Sequence, residues 1–291
     1  MKLKLLRIVF VLIIIFAAAG VQAETSVWVV KSSQSTVYLA GSCHVLRASD
    51  HPLPTEFFSA YQDSRKIIFE APLGDMEKPE YLEKLMRAAT YSDGTTLKQH
   101  LSSSAYSKAE AFCKERNYPI EQYQSFRPWM LAMTLTMSEM ARIGAESNNG
   151  VDYFFNEKAL KDRKIMGSLE TVDQQIGFLT LMDTSMSNEQ ITETIDELRQ
   201  IKTKGPDILN AWKNGDEAKI EALNLKELKN YAKLYQALIL DRNKKWINDI
   251  EGYLNSPVNT MVIVGVAHLV GDNSVVDLLR KRGYKVVKLQ K

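Results

Sequence analysis

Short apolar runs alternate with amphipathic segments along most of the chain. Runs rich in β-branched and aromatic residues predict six strands, at 26–31, 36–40, 66–70, 164–167, 261–264 and 285–289. The first two strands flank Ser32-Ser33-Gln34 and predict an opening hairpin. Apolar residues spaced three and four apart predict helices between the later strands, over 126–142, 152–161, 188–203 and 225–254.

This alternation of strands and helices favours one α/β domain. A mixed, mostly parallel central sheet with helices on both faces buries the apolar side of both kinds of element. The strand-poor stretches at about 75–160 and 172–255 predict large helical insertions into that domain.

A stripe of methionines marks the helix predicted over 126–142. Its members recur at helical spacing, at Met130, Met133, Met137 and Met140. Methionine is a flexible filler of irregular core gaps. We therefore expect the stripe to pack in the core rather than to form a cofactor site.

Residues 1–23 have the pattern of a secretory signal peptide. Lys2, Lys4 and Arg7 precede an apolar run over 8–19, and Val21-Gln22-Ala23 offers a cleavage site after Ala23. A permanent membrane anchor is the alternative, but the run is shorter than the ~20 residues that a spanning helix needs. We predict a mature domain over 24–291 that is periplasmic or secreted, with no stable membrane anchor.

Composition excludes several classes of protein. The chain has 45% hydrophobic and 25% charged residues, and its net charge of +2 includes the three positive charges of the signal. No basic stripe stands out, so we expect no nucleic-acid partner. Two cysteines exclude a disulfide framework, and Cys43 and Cys113 could be paired or free. Composition does not fix the oligomeric state.

Chemically capable residues follow four of the predicted strands. His44 and His268 each close a Gly-x-x-His motif, and Glu70 and Glu170 lie at the ends of two other strands. In an open parallel sheet, ligands bind beyond the carboxyl ends of the strands. We therefore expect these four side chains to meet at one rim of the sheet.

Two chemistries are open for such a site. Two imidazoles and a carboxylate suit a divalent metal with open positions for water and substrate. Alternatively, one histidine is a general base and Glu70 orients it without a metal.

The sequence also predicts the surroundings or roles of three further residues. Arg242 shares a helix face with Leu238 and Trp246, so it either pairs with a site carboxylate or substrate anion or extends its charge to water. Asp152 stands at a predicted helix start, where a capping role is the simplest interpretation. Cys43 points away from His44 if both lie on a strand, which disfavours a cysteine nucleophile.

These residues form ordered blocks that resemble the TraB/GumN family over about 26–290. The blocks are Gly41-Ser42-Cys43-His44-Val45-Leu46, Ile67-Ile68-Phe69-Glu70, Arg127-Pro128-Trp129, Gly150-Val151-Asp152, Leu169-Glu170-Thr171, Arg242-Asn243 and Val264-Gly265-Val266-Ala267-His268-Leu269. This family is related to the TIKI proteins, which are Mn- or Co-dependent proteases with paired Gly-x-x-His motifs and a Glu, and more distantly to erythromycin-esterase and ChaN-like folds.

The resemblance implies a metal-binding and catalytic centre made of His44, Glu70 and His268. It further implies a catalytic Arg242 and supporting roles for Asp152 and Glu170. Mn or Co is the metal that the resemblance suggests, and Zn would also suit these ligands. We therefore expect a metal-dependent hydrolase of peptides or other small substrates. A metal-free esterase-type hydrolase and a non-catalytic protein that binds a peptide or small ligand are the alternatives.

Overall fold

A computed structural model describes residues 25–183 and 187–290. The predicted signal peptide at 1–23 lies outside the described residues, and its prediction stays open. The strands are β1 Val27–Lys31, β2 Thr36–Ser42, β3 Leu46–Arg47, β4 Lys66–Phe69, β5 Ala145–Glu146, β6 Ile165–Ser168, β7 Thr260–Gly265 and β8 Val286–Lys288.

The α-helices fill most of the chain between these strands. They are α1 Thr55–Asp63, α2 Leu73–Met76, α3 Pro79–Ala89, α4 Leu97–His100, α5 Ser103–Arg116, α6 Pro128–Arg142, α7 Val151–Lys161, α8 Val172–Thr180, α9 Ser187–Arg199, α10 Ile201–Lys213, α11 Glu217–Asn224, α12 Ala232–Tyr235, α13 Asp241–Leu254 and α14 Val275–Lys281. No helix within the described ranges is long and apolar enough to cross a membrane.

Six strands form the central sheet in the order β6-β4-β7-β2-β1-β8. Neighbours from β6 to β2 pair in parallel, and β1 pairs antiparallel with both β2 and β8. The predicted mixed, mostly parallel α/β fold is confirmed, as is the opening hairpin. Every residue of β7 is buried, as expected for an inner strand that helices cover on both faces.

The hydrophobic core lies in two parts. The larger cluster surrounds the central sheet. A second cluster joins α4, α5, α6 and α9 and buries Phe112, Leu131 and Ile195 completely. The long helical stretches between β4 and β7 thus have a core of their own beside the sheet.

Two predicted helices are broken in the structure. The helix predicted over 188–203 ends at Arg199, and α10 begins after Gln200, whose ψ of 0° is not helical. The helix predicted over 225–254 is interrupted at Tyr231 and by a π turn at Gln236–Leu240. Such π turns occur often beside functional sites, and this one leads directly into α13, which contains Arg242.

The prediction that the methionine stripe packs in the core is wrong. Helix α6 buries Leu131 and Leu135 on the face that meets the second core cluster. Met133 and Met137 lie on another face and border a cavity, where Met137 is 38% exposed. Two apolar stripes share this helix, and spacing alone does not show which one faces the core.

Candidate active site

The ends of four parallel strands bring the predicted site residues together. Glu70 directly follows β4, and its N–H donates to the carbonyl of Ile263 in β7 at 3.0 Å. The N–H of Glu170, which follows β6, donates to the carbonyl of Glu70 at 3.2 Å. His44 follows β2, and His268 ends a 3₁₀ turn that follows β7. The four side chains therefore lie at one rim of the sheet, as expected.

Gly265 marks the point at which these side chains converge. A Cβ atom at this position would lie 3.1 Å from His44 Nε2, 3.5 Å from Glu70 Oε2 and 3.7 Å from His268 Cδ2. The Gly265 N–H also donates to Glu70 Oε2 at 2.9 Å. A glycine at the strand end thus leaves open the small space that the three side chains border.

Arg242 connects the two glutamates. Its Nη2 donates to Glu70 Oε1, and its Nε and Nη2 donate to Glu170 at 2.7 and 2.9 Å. The guanidinium is 10% exposed and lies 4.6 Å from the ring of Phe178. The predicted pairing with site carboxylates is confirmed, and the alternative in which Arg242 extends to water is wrong.

Glu170 fixes the position of this guanidinium. Its side chain is 1% exposed and also accepts hydrogen bonds from Trp246 Nε1 at 3.0 Å and Gln175 Nε2 at 2.5 Å. A buried carboxylate with this many donors has little freedom to move. Glu170 therefore holds the Arg242 guanidinium in a fixed position beside Glu70.

His268 is a neutral imidazole of defined tautomer. Its Nδ1 lies 2.7 Å from Asn243 Oδ1, and the Asn243 amide is oriented by donating to the carbonyl of Asn273 at 3.0 Å. Since an amide oxygen only accepts, Nδ1 holds the proton and Nε2 keeps its lone pair. Burial lowers the pKa of His268 to about 3, so the ring is uncharged at pH 7. Arg242 Nη1 lies 3.3 Å from Nε2.

His44 has the opposite charge state. Its Nδ1 lies 2.8 Å from Asp152 Oδ2, and this carboxylate raises the pKa of His44 to about 9. The side chain is 59% exposed, so the ring meets solvent at the mouth of the site. Ser42 Oγ donates to the same Asp152 oxygen.

The expected capping role of Asp152 is wrong. Gly150 is the residue at the N-cap of α7, and the Asp152 side chain instead holds Ser42 and His44. A Cβ at Gly150 would lie 2.2 Å from the His44 carbonyl oxygen. Glycine there allows the start of α7 to lie against the His44 backbone, which places Asp152 beside the imidazole.

Glu70 is ionised despite its burial. Desolvation alone would raise its pKa, but His268, Arg242, His44 and the Gly265 amide lower the pKa to about 2. Among those groups, His268 is neutral at pH 7. The permanent charge of Arg242, together with protonated His44, therefore keeps Glu70 a carboxylate.

The donor types suit a divalent metal. Two imidazoles and an ionised carboxylate face the space above Gly265, and each imidazole has its Nδ1 held by an oxygen atom, as metal-bound histidines commonly do. Over residues 25–183 and 187–290, however, no three His, Cys, Asp or Glu side chains are placed to hold a metal together. Arg242 instead supplies the positive charge between Glu70 and His268.

A cavity of about 330 Å³ opens onto this centre. His44, Glu70 and Asp152 border it together with Leu73 and Met76. Its size lies within the usual range for small-ligand sites. A ligand there would meet an imidazolium, carboxylates and apolar side chains.

The two cysteines are free thiols. Burial raises the pKa of Cys43 to about 11, which leaves almost no thiolate at neutral pH. The geometry therefore agrees with the expectation that Cys43 is not a nucleophile.

Asn243, Ser42 and Gln175 contact the predicted site residues, yet sequence reasoning gave them no role. A signal for Asn243 was present: it occupies the same face of α13 as Trp246, Ile247 and Ile250, all buried. A polar residue within a buried apolar stripe needs a hydrogen-bond partner, and here that partner is His268.

Comparisons with known proteins identify relatives of this chain. YbaP of Escherichia coli K12, an uncharacterized protein, is 22% identical over 84% of this chain and 87% of its own length. The Metalloprotease TIKI homolog of Nematostella vectensis and Metalloprotease TIKI1 of Danio rerio are each 22% identical over 89% of this chain, which spans 66% and 62% of their lengths. No solved structure matches significantly. The model of the TraB/PrgY/gumN family matches residues 26–288, and the chain belongs to this family.

Proposed function

We propose that this chain is a metal-dependent hydrolase that cleaves peptide bonds. The observation on which the proposal rests is the convergence of His44 Nε2, the Glu70 carboxylate and the His268 ring around Gly265. The names of the TIKI relatives support the choice of peptides as substrates.

In this proposal His44, Glu70 and His268 would hold Mn, Co or Zn once the side chains draw together and Arg242 gives up its contacts with Glu70 and His268, with His268 offering the lone pair of Nε2. A divalent ion would polarise the scissile carbonyl and lower the pKa of a bound water. Asp152 orients the His44 ring and Asn243 fixes the His268 tautomer, so both imidazoles present Nε2 to the centre. Arg242 lies beside Glu70, where its charge would stabilise negative charge that develops on the substrate.

We also propose that the chain is exported and cleaved after Ala23, and that nucleic acid is not a partner. The basic start and apolar run of residues 1–23 support export. Mass measurement of the amino terminus, together with fractionation of the host cells, tests this part separately.

The test uses purified mature protein, a library of fluorescence-quenched peptides, and metal analysis. We expect cleavage that a chelator abolishes and that Mn, Co or Zn restores, with one ion bound per chain. His44→Ala and His268→Ala should each lower kcat/KM by at least about 10²-fold. His100→Ala is the matched control, because that exposed ring lies on α4 outside the site and stacks on Tyr91.

Full activity in chelator would contradict the metal dependence of the reaction. The esterase-type alternative would then remain only if both histidine variants were inactive. In that alternative Asp152, not Glu70, orients His44, since Asp152 makes the hydrogen bond. Absence of cleavage for every peptide and ester tested, with unchanged ligand affinity in a His44/His268 double variant, would indicate a binding protein instead.

A further inference from the structure

A second and larger cavity lies between α6, α9 and α11. Its volume is about 530 Å³, and Met133, Met137 and Leu223 form part of an apolar wall. Met137 and Leu223 are each more than a third exposed. A surface of this size and composition is typical of a ligand or peptide site.

Three carboxylates border the same cavity, at Glu193, Glu197 and Glu227. Within the described chain none of them is paired with a basic side chain, and the nearby Arg199 and Lys108 pair with other acids. Burial, together with a hydrogen bond to Glu227 and the charge of that residue, raises the pKa of Glu197 to about 7 against the opposing charge of Lys204. Glu193 accepts a hydrogen bond from the Tyr231 hydroxyl, and Lys204 is the basic residue whose charge reaches Glu197, but neither makes an ion pair with the acidic side of the cavity.

Trp129 adds an independent polar feature. This residue borders the cavity and is 2% exposed. Its indole N–H has no hydrogen-bond acceptor among the described residues. A buried donor without a partner is rare in folded proteins, so this edge of the cavity is polar as well as apolar.

The cavity lies next to the candidate active site. Gln175 borders the active-site cavity and Leu179 borders the larger one, and residues four apart share one face of a helix. Leu238 also borders the larger cavity, and its carbonyl accepts a hydrogen bond from Arg242 Nη1 at 3.1 Å. One face of α8 and the start of α13 thus connect the two spaces.

We propose that the larger cavity binds a Lys or Arg side chain, with an adjacent apolar residue, of the peptide that the active site cleaves. The methylene stem of such a side chain would pack on the methionine and leucine wall, and its charge would meet Glu193, Glu197 and Glu227. The site thereby selects basic-apolar segments over acidic ones by charge complementarity. That the bound peptide is also cleaved rests on the proposed peptidase function, whereas the binding itself does not.

The test measures binding without turnover. Three fluorescein-labelled peptides are compared on chelator-treated mature protein by anisotropy at low ionic strength: Gly-Ser-Leu-Lys-Leu-Ser-Gly and the same sequence with norleucine or Glu in place of Lys. Norleucine keeps the alkyl stem and removes the charge. We expect the Lys peptide to bind roughly tenfold tighter than the norleucine peptide and tighter still than the Glu peptide.

Two variants connect this preference with the cavity. The double substitution Glu193→Gln with Glu197→Gln should abolish the Lys preference, whereas Glu80→Gln with Glu83→Gln, an equal charge change on the exposed face of α3, should keep it. Met137→Trp should fill the apolar part of the cavity and weaken the binding of the Lys and norleucine peptides alike. Melting by circular dichroism checks that each variant is folded.

Equal affinity for the Lys and norleucine peptides would overturn the proposal and indicate a purely apolar site or a contact between copies. Retention of the preference after the Glu193/Glu197 change would overturn it too. Failure of the peptidase proposal is distinguishable, because the binding preference is measured without cleavage. Cleavage with no Lys preference would remove only this inference.

Discussion

The substitution Glu170→Gln tests the buried ion network directly. Oε1 of Glu170 accepts from Arg242 Nε and Trp246 Nε1, and Oε2 accepts from Arg242 Nη2 and Gln175 Nε2. A glutamine has only one acceptor oxygen. In either orientation its NH₂ group would therefore face two N–H donors, and the charge that neutralises Arg242 from this side would be gone.

The magnitude follows from burial. Removal of one partner of a buried charged pair destabilises a protein by about 3–5 kcal/mol, and Glu170 is 1% exposed while Arg242 is 10% exposed. At about 2–4 °C per kcal/mol for a domain of this size, we expect the melting temperature to fall by roughly 10 °C. The reaction that we propose plays no part in this estimate.

Urea unfolding followed by tryptophan fluorescence measures the change. Glu83→Gln is the matched control, since Glu83 also pairs with an arginine, Arg87, but both side chains are at least 70% exposed; its effect should be about 0.5 kcal/mol or less. The effect of Glu170→Gln should also shrink in an Arg242→Met background. If Glu170→Gln destabilised the protein no more than Glu83→Gln, the reasoning about the buried network would be refuted.

Three other predictions concern protonation, in protein freed of metal by chelator. The contribution of the active-site groups to the free energy of unfolding should be greatest near pH 6.5. His268 and Glu70, whose folded pKa values of about 3 and 2 lie below the ordinary 6.5 and 4.5, make it fall as the pH drops below 6.5. The pKa of His44 is raised from 6.5 to about 9 in the folded state, so its contribution falls as the pH rises from 6.5 to 9. This fall is slight because the exposed ring is screened by solvent. Urea unfolding at a series of pH values that stayed flat on acidification would contradict the prediction. Asp152→Asn should move the NMR titration of His44 down towards pH 6.5, and an unchanged midpoint would show that another group sets it. Cys43 should react with a thiol reagent at pH 8 far more slowly than the unfolded chain does, and equal rates would contradict its raised pKa.

The position of the site was predictable because a topological rule determines it. His44, Glu70, Glu170 and His268 each follow an apolar run, and parallel pairing carries all four strand ends to one edge. That inference needs only the strand positions and their direction. Side-chain identity then narrows the chemistry without any knowledge of the helices.

The partners of these residues were harder to predict because helices supply them. Asn243 and Arg242 contact the site only because α13 packs against β2 and α14, and Asp152 reaches His44 only because Gly150 allows a close approach. The orientation of α6 was equally open, since its leucine and methionine stripes are both apolar. Spacing along a helix defines faces, and only the packing of the whole chain decides what each face meets.

The charges at the centre bear on how a divalent ion could be held. At pH 7 the carboxylates of Glu70, Glu170 and Asp152 face two positive groups, Arg242 and protonated His44, while His268 is neutral. A divalent ion added to this set would leave an excess positive charge, and it would also need the Nε2 lone pair of His44, which protonation occupies. Loss of the His44 proton resolves both conflicts at once, because it frees the ligand atom and removes the excess charge. Arg242 can then remain paired with Glu170, so the arrangement that neutralises Glu70 without a metal also has a consistent state with one.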